Sequence, residues 1–251
     1  MSSLPVRMIP GFPPGVQAAM TWRGASDKPW GFNLAMHTEE PGDEPAARRR
    51  ALEQALGVQV QWLAQVHGAT CHVATEITTA PEADACMTTT DSLACAVMVA
   101  DCLPVLMALE SGTAVAAAHA GWRGLASGVL ESSLAALVRN QGDRCVVAWL
   151  GPCIGPNDFE VGPEVLSAFG GPQGVNACHF RPSPRKPGHF MADLQGIALS
   201  AMERWASMHD CRIRWAAPPA GCTIREPMTW FSYRRERMTG RMAGLIWRES
   251  Q

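Results

Sequence analysis

Apolar residues in this chain gather into short unbroken runs separated by turn formers. Leu93–Val99, Pro104–Leu109 and Cys145–Leu150 are continuous apolar segments of strand length, as expected of strands covered on both faces. Thr113–Ala118 is a fourth such run. Ser111-Gly112, between it and Pro104–Leu109, predicts two buried strands joined by a tight turn. Further strands are expected at Ala18–Trp22, Val58–Val66, Cys71–Ile77 and Arg212–Ala216, with Met242–Trp247 closing the chain. Ala126, Leu130, Leu134 and Leu137 share helical spacing and predict a helix over Ala126–Arg139. A second helix, Leu194–Ser207, follows Asp193 as its cap. Asp43, Pro45 and Gly57 bracket a third over Glu44–Leu56, with Asp43 expected to cap it. Pro163–Phe169 reads as a short helix. Arg23–His37, the stretch through Pro81 and Asp84, and Gly170–Gly188 with its RPSPRKPG tip read as loops. No repeat or break in composition divides the chain. The expectation is one α+β domain over residues 1–251, mixed β-sheets inside and helices outside.

Composition narrows the function. The net charge of −2 and a charged fraction of 18% leave no basic field for nucleic acid. The longest strongly apolar run, Leu93–Ala100, is too short to cross a bilayer. The first fifteen residues carry neither a basic nor an apolar leader segment, so a cytoplasmic protein acting on a small-molecule substrate is expected. The nine cysteines are odd in number, scattered, and contain no CxxC pair; they predict reduced thiols, most of them in the core.

Cys102 is the exception. The stretch Asp101–Gly124 starts at a cysteine, passes through the two strands of the expected hairpin, and ends in His119-Ala-Gly-Trp-Arg-Gly124. The outer ends of a hairpin lie side by side, so Cys102 and His119 are expected to meet. His67, after the expected strand Val58–Val66, can join them at one rim of a sheet. Two imidazoles and a thiolate suit Zn²⁺ and leave its fourth tetrahedral position open for water of lowered pKa. Cys102 and His119 could also act without metal, as nucleophile and base beside Asp101; only the metal chemistry requires His67. Spacing alone leaves buried core histidines as a third explanation. Copper held by two histidines and Cys102, with Met98 or Met107 as axial ligand, is a further alternative. Seven histidines are too few for a mononuclear and a trinuclear copper centre together.

Gly121-Trp122-Arg123-Gly124 leads into a helix and can receive an anion through Arg123, although a tight turn with Arg123 in a salt bridge has the same letters. Arg48-Arg49-Arg50 reads as a solvated helix face. Tyr233-Arg234-Arg235, with Arg237 and Arg241, forms a basic cluster around Thr239-Gly240. Such a cluster is either solvated or reaches a phosphate-bearing ligand.

The strings NLAMH (33–37), QVHG (65–68), ADCLPVLM (100–107), HAGWRG (119–124), WLGPCIGPNDFEVG (149–162), CTIREPMTWFSYRRE (222–236) and TGRMAGLIW (239–247) resemble the YfiH family, also described as laccase-domain or polyphenol-oxidase-like. The resemblance runs over nearly the whole chain in the same order. It implies an αββα-type fold related to cysteine-dependent deamidase toxins, with zinc held by His67, Cys102 and His119. It further implies phosphorolysis of adenosine, inosine and methylthioadenosine, and deamination of adenosine. Some members are described instead as phenol oxidases or as editing peptidoglycan precursors. Arg123 is then the first candidate for phosphate, with Arg48 and Arg234 behind it. Asn33 and Gln65 are candidate substrate contacts, and Asp101 and Cys102 candidate acid–base groups. The chain departs from the family in the loop after His37, which reads TEEPGDEP. It also lacks the H-x-E and P-C-x-x-C signature of zinc nucleobase deaminases.

Overall fold

In the computed structural model, which describes residues 4–25, 29–139 and 141–250, the apolar runs become strands of two stacked sheets. In chain order the strands are β1 (Val6–Met8), β2 (Val16–Thr21), β3 (Gln59–Gln61), β4 (Cys71–Val73), β5 (Ala85–Thr88), β6 (Leu93–Val99), β7 (Leu103–Leu109) and β8 (Val115–Ala120). They continue with β9 (Cys145–Leu150), β10 (Glu160–Val161), β11 (Phe180–Pro182), β12 (Phe190–Ala192), β13 (Arg212–Trp215) and β14 (Met242–Arg248). The helices are α1 (Glu44–Leu56), α2 (Trp122–Ser127), α3 (Val129–Val138), α4 (Pro163–Ala168), α5 (Leu194–Met208) and α6 (Tyr233–Glu236).

One sheet runs β1-β2-β14-β6-β3 and the other β13-β9-β7-β8-β5-β4; both mix parallel and antiparallel pairs. Their facing sides bury Val97, Val99 and Ile246 against Leu106, Ala117 and Trp149. The outer face of the β7 sheet packs on Leu130 and Leu134 of α3 and Ile197 and Met202 of α5. The outer face of the β6 sheet packs on Leu52 of α1. The layers are therefore helix, sheet, sheet, helix. β6, β7 and β8 are covered on both sides, which is why they are apolar throughout rather than alternating. The segment expected as a loop over Gly170–Gly188 contains β11, which joins β10 and β12 on either side of that segment in a third, three-stranded sheet, β10-β12-β11.

Several expectations are corrected. The single helix over Ala126–Arg139 is two, because Gly128 takes a left-handed conformation (φ 88°) that ends α2 and starts α3. The strand expected over Val58–Val66 stops at Gln61, so His67 sits on a loop. β5 replaces part of the loop after Asp84. The Asp43 side chain makes no cap hydrogen bond, and its carbonyl accepts the Ala47 N–H instead. Arg49 is not a solvated charge: its Nε donates to Leu34 O at 2.7 Å, its guanidinium lies 4.0 Å from the Trp62 ring centre, and burial lowers its pKa to about 10. Asp193 does cap α5, accepting the Gly196 N–H at 3.0 Å, and Gly57 ends α1 in a left-handed conformation. The parts of the opening segment and of the Arg23–His37 loop on residues 1–3 and 26–28 lie outside the described residues.

Candidate metal centre and its cavity

The β7–β8 register pairs Leu103 with Ala120 and Pro104 with His119, which sets Cys102, just before β7, beside the end of β8. Gly121 follows there because nothing larger fits: a Cβ would lie 2.9 Å from Cys102 Sγ and 3.5 Å from His67 Cδ2. The ligand-type atoms of His67, Cys102 and His119 all lie within 4.8 Å of one another. The two imidazoles meet edge to face, with ring centres 4.9 Å apart.

Asp84 organises this group from behind. It is fully buried, and its Oδ1 lies 2.8 Å from His119 Nδ1. The same carboxylate accepts the backbone N–H of Val66 (3.1 Å), His67 (2.9 Å) and Gly68 (2.6 Å). One side chain thus fixes the ring of His119 and the loop that carries His67. His67 needs this support, since its left-handed backbone (φ 62°) costs a non-glycine residue on the order of 1 kcal/mol. Burial works against ionising Asp84, but the hydrogen bonds from His119 and the backbone win and hold its pKa below the usual value.

Asp101 is also left-handed (φ 93°) and also tied at every point. Thr223 Oγ1 donates to its Oδ1 at 2.6 Å, the Arg234 N–H to its Oδ2 at 2.7 Å, and the Ile154 N–H to its carbonyl at 2.9 Å. Through it the segment beginning Cys222-Thr223 and the start of α6 are anchored next to Cys102.

Burial opposes ionisation of the Cys102 thiol, but the charge of His119 and hydrogen bonds from His119 and His67 outweigh it and lower its pKa to about 6. Burial likewise opposes protonation of His119, yet the Cys102 thiolate and Asp84 raise its pKa to about 9. Without metal the two form a thiolate–imidazolium pair at neutral pH. The donor set also fits zinc. Donors around a tetrahedral zinc stand roughly 3.3–3.8 Å apart, a small contraction from the separations here. Asp84 on Nδ1 leaves Nε2 of His119 as the ligand nitrogen.

The group opens into a cavity of about 450 Å³. Of the residues singled out in the sequence, Gln65, Asp101, Arg123 and Arg234 line it alongside the three ligand-type residues. Gln65 is engaged with backbone: its amide donates to Met98 O at 2.9 Å and accepts the Met98 N–H at 2.8 Å. Arg123 lies in the first turn of α2 with its guanidinium 4.4 Å from the Trp122 ring centre, and Arg234 reaches Glu160 O at 3.0 Å. Asn33 and Arg48 do not line the cavity. Asn33 is fully buried in hydrogen bonds to Ala35, Thr38, Glu40 and Arg241, and Arg48 pairs with Glu40 at 2.7 Å. Met98 lines the cavity, whereas Met107 is buried inside β7.

Three contributors were not singled out. Asp84 falls in a stretch that reads as a loop, although a lone carboxylate between Ala83 and Ala85, ahead of Cys86 and Met87, signals a buried charge that needs partners. His37, at the end of the expected Arg23–His37 loop, lines the cavity, and burial together with the charges of Arg241 and Arg49 lowers its pKa. Arg241, by sequence one member of a basic cluster, also lines the cavity. Arg235, from the same cluster, turns away to the carbonyl oxygens of Ile224 and Trp230 and to Glu236.

Both the fold and the sequence match known proteins. The family described as multi-copper polyphenol oxidoreductase laccase matches residues 17–249, and the chain belongs to that family, whose members include the YfiH proteins. It is 40% identical to the purine nucleoside phosphorylase YfiH of Escherichia coli, covering 98% of this chain and 99% of that one. A purine nucleoside phosphorylase of Pseudomonas aeruginosa is 40% identical over 94% of both chains. A crystal structure of a Neisseria meningitidis protein, described as DUF152, superposes with a TM-score of 0.86 at 37% identity, covering 98% of this chain and all of that one. Among the described residues no helix is long and apolar enough to cross a membrane.

Proposed function

We propose that this protein is a zinc-dependent purine nucleoside phosphorylase that also deaminates adenosine. One observation carries the reading: a single cavity joins the His67–Cys102–His119 group to three arginines, Arg123, Arg234 and Arg241, none of them in an ion pair with a described residue. The relatives' names support the same substrate class. Trp122, Phe159 and Tyr233 line the cavity and offer flat apolar surfaces for a purine. The guanidinium groups offer an anion the charge that phosphorolysis needs beside the ribose C1′. In that reaction the C1′–N9 bond breaks, a phosphate oxygen takes C1′, and the base leaves with a proton on nitrogen. A metal held by His67, Cys102 and His119 supplies a Lewis acid and a bound water of lowered pKa. Asp84 holds Nδ1 of His119 and keeps its Nε2 facing that position.

Product analysis tests the proposal. Purified, metal-quantified protein incubated with adenosine and phosphate is expected to release adenine and ribose 1-phosphate; without phosphate, only inosine and ammonia should form. No base release with adenosine, inosine or methylthioadenosine would sink the phosphorylase reading.

The low pKa of Cys102 favours one second reading, a cysteine nucleophile with His119 as its base, as in an amidase. Intact mass and iodoacetamide labelling separate the two. With metal loaded, Cys102 is expected to alkylate slowly until the metal is chelated, and no substrate adduct should accumulate during turnover. Fast labelling of the loaded protein, or a substrate-sized mass gain, would favour the nucleophile. The oxidase reading finds less support: His67, Cys102 and His119 are the one such group among the described residues, too few imidazoles for a multicopper centre.

A further inference from the structure

Arg241 lies one residue before β14, and two observations, its hold and its burial, set it apart from the other arginines of the cavity. It is held rigidly: Nη1 donates to the carbonyl oxygens of Thr239 at 2.9 Å and Gly240 at 3.2 Å, and its backbone N–H donates to Asn33 Oδ1 at 2.8 Å. It is partly desolvated, and burial lowers its pKa. No described carboxylate forms an ion pair with it, although it borders the cavity beside Tyr233, whose ring centre is 5.6 Å from the guanidinium carbon.

The hold on Arg241 extends behind the cavity wall. Asn33 Nδ2 donates to Glu40 Oε2 at 2.8 Å, and Arg48 Nη1 donates to both Glu40 oxygens at 2.7 Å. Asn33 and Arg48 therefore do not meet a ligand themselves but form a chain, Arg48–Glu40–Asn33–Arg241, that ends on the Arg241 backbone N–H and fixes the backbone from which the guanidinium projects. By contrast, Arg123 and Arg234 are exposed, and among the described residues Arg123 is braced by the Trp122 ring alone. A fixed, partly desolvated cation is screened less by water than an exposed one and gives up less freedom when an anion binds.

We propose that Arg241 anchors an oxyanion subsite in this cavity, taking inorganic phosphate, with Arg123 and Arg234 as weaker outer contacts. The choice of phosphate rests on the phosphorylase reading; the subsite rests on the geometry of Arg241. The test titrates inorganic phosphate into the metal-loaded protein by calorimetry and measures the phosphate KM, for the wild type, Arg241→Lys, Arg241→Met and Arg123→Lys. Both Arg241 variants are expected to raise the phosphate Kd and KM by about tenfold or more, the scale of a lost charge-assisted hydrogen bond, at unchanged metal content. Arg123→Lys is expected to shift them by less than about threefold, as for an exposed charge. In the unaltered protein, phosphate is expected to shield Arg241 from phenylglyoxal, read by peptide mass, so the test does not depend on a variant folding.

Absence of shielding, or a phosphate Kd unchanged in both folded Arg241 variants, overturns the inference. Phosphate affinity that survives both variants and vanishes on chelation places the anion on the metal and also overturns it. Adenosine 5′-monophosphate that loses affinity in the variants while free phosphate keeps it removes inorganic phosphate from the subsite and overturns the inference as stated. Phosphate binding through Arg241 without phosphorolysis keeps the subsite and removes the phosphorylase reading. Phosphorolysis with a KM indifferent to Arg241 does the reverse.

Discussion

Cys102→Ser, His67→Ala and His119→Ala are each expected to lower zinc affinity by at least about a hundredfold and to remove phosphorolysis and deamination together. The expectation follows from geometry: three donors converge within 4.8 Å, and they form the one such group among the described residues. Two ligands leave the metal with more water and less neutralising charge, so both affinity and Lewis acidity suffer. Elemental analysis and activity on one preparation check this. Full zinc content in His67→Ala would remove His67 from the ligand set. Retained activity in metal-free Cys102→Ser would remove both the metal and the thiol from the chemistry.

Asp84→Ala is expected to do as much damage without touching the cavity. It strands the backbone N–H groups of Val66, His67 and Gly68 and frees the ring of His119. These donors are only part-buried, so each costs at most about 1–3 kcal/mol when unpaired, and a loss of a few kcal/mol in stability is expected. Asp84→Asn is the sharper probe, because it keeps the volume but weakens acceptance and offers a competing donor. It is expected to cut metal affinity by about 10- to 100-fold, the usual effect of losing a carboxylate behind a metal-bound histidine. Denaturant unfolding of the metal-free protein, alongside metal titration, separates the two effects. An Asp84→Asn protein with wild-type metal affinity would show that the three backbone contacts alone position the site.

Much of the frame was legible because burial on both faces leaves a strong mark in sequence. β6, β7 and β9 were read within a residue or two because each is an unbroken apolar run between turn formers. The hairpin register brings Cys102 to His119 and is itself legible in the sequence, since antiparallel neighbours are set by a short turn. β5 was not legible: it is four residues long and follows a loop rich in Pro, Glu and Thr, so its strand character comes from pairing with β8. The break at Gly128 was hidden for a related reason, since a glycine inside a helical pattern shows its left-handed conformation only once both flanking helices are packed.

The sequence by itself determined which residue types were available for chemistry and that Cys102 and His119 would be neighbours, because both follow from local pairing. Only the tertiary structure decided which charges face the cavity and which are spent elsewhere. Arg48, Arg49, Arg234, Arg235 and Arg241 look alike as letters in basic clusters. Packing sends Arg48 to Glu40, Arg49 against Trp62, Arg235 to backbone carbonyls, and leaves Arg234 and Arg241 at the cavity. Asp84 is the same case in reverse. It joins His119 of β8 to the loop of His67, partners 35 and 17 residues away, and such a contact exists only when distant strands close around it.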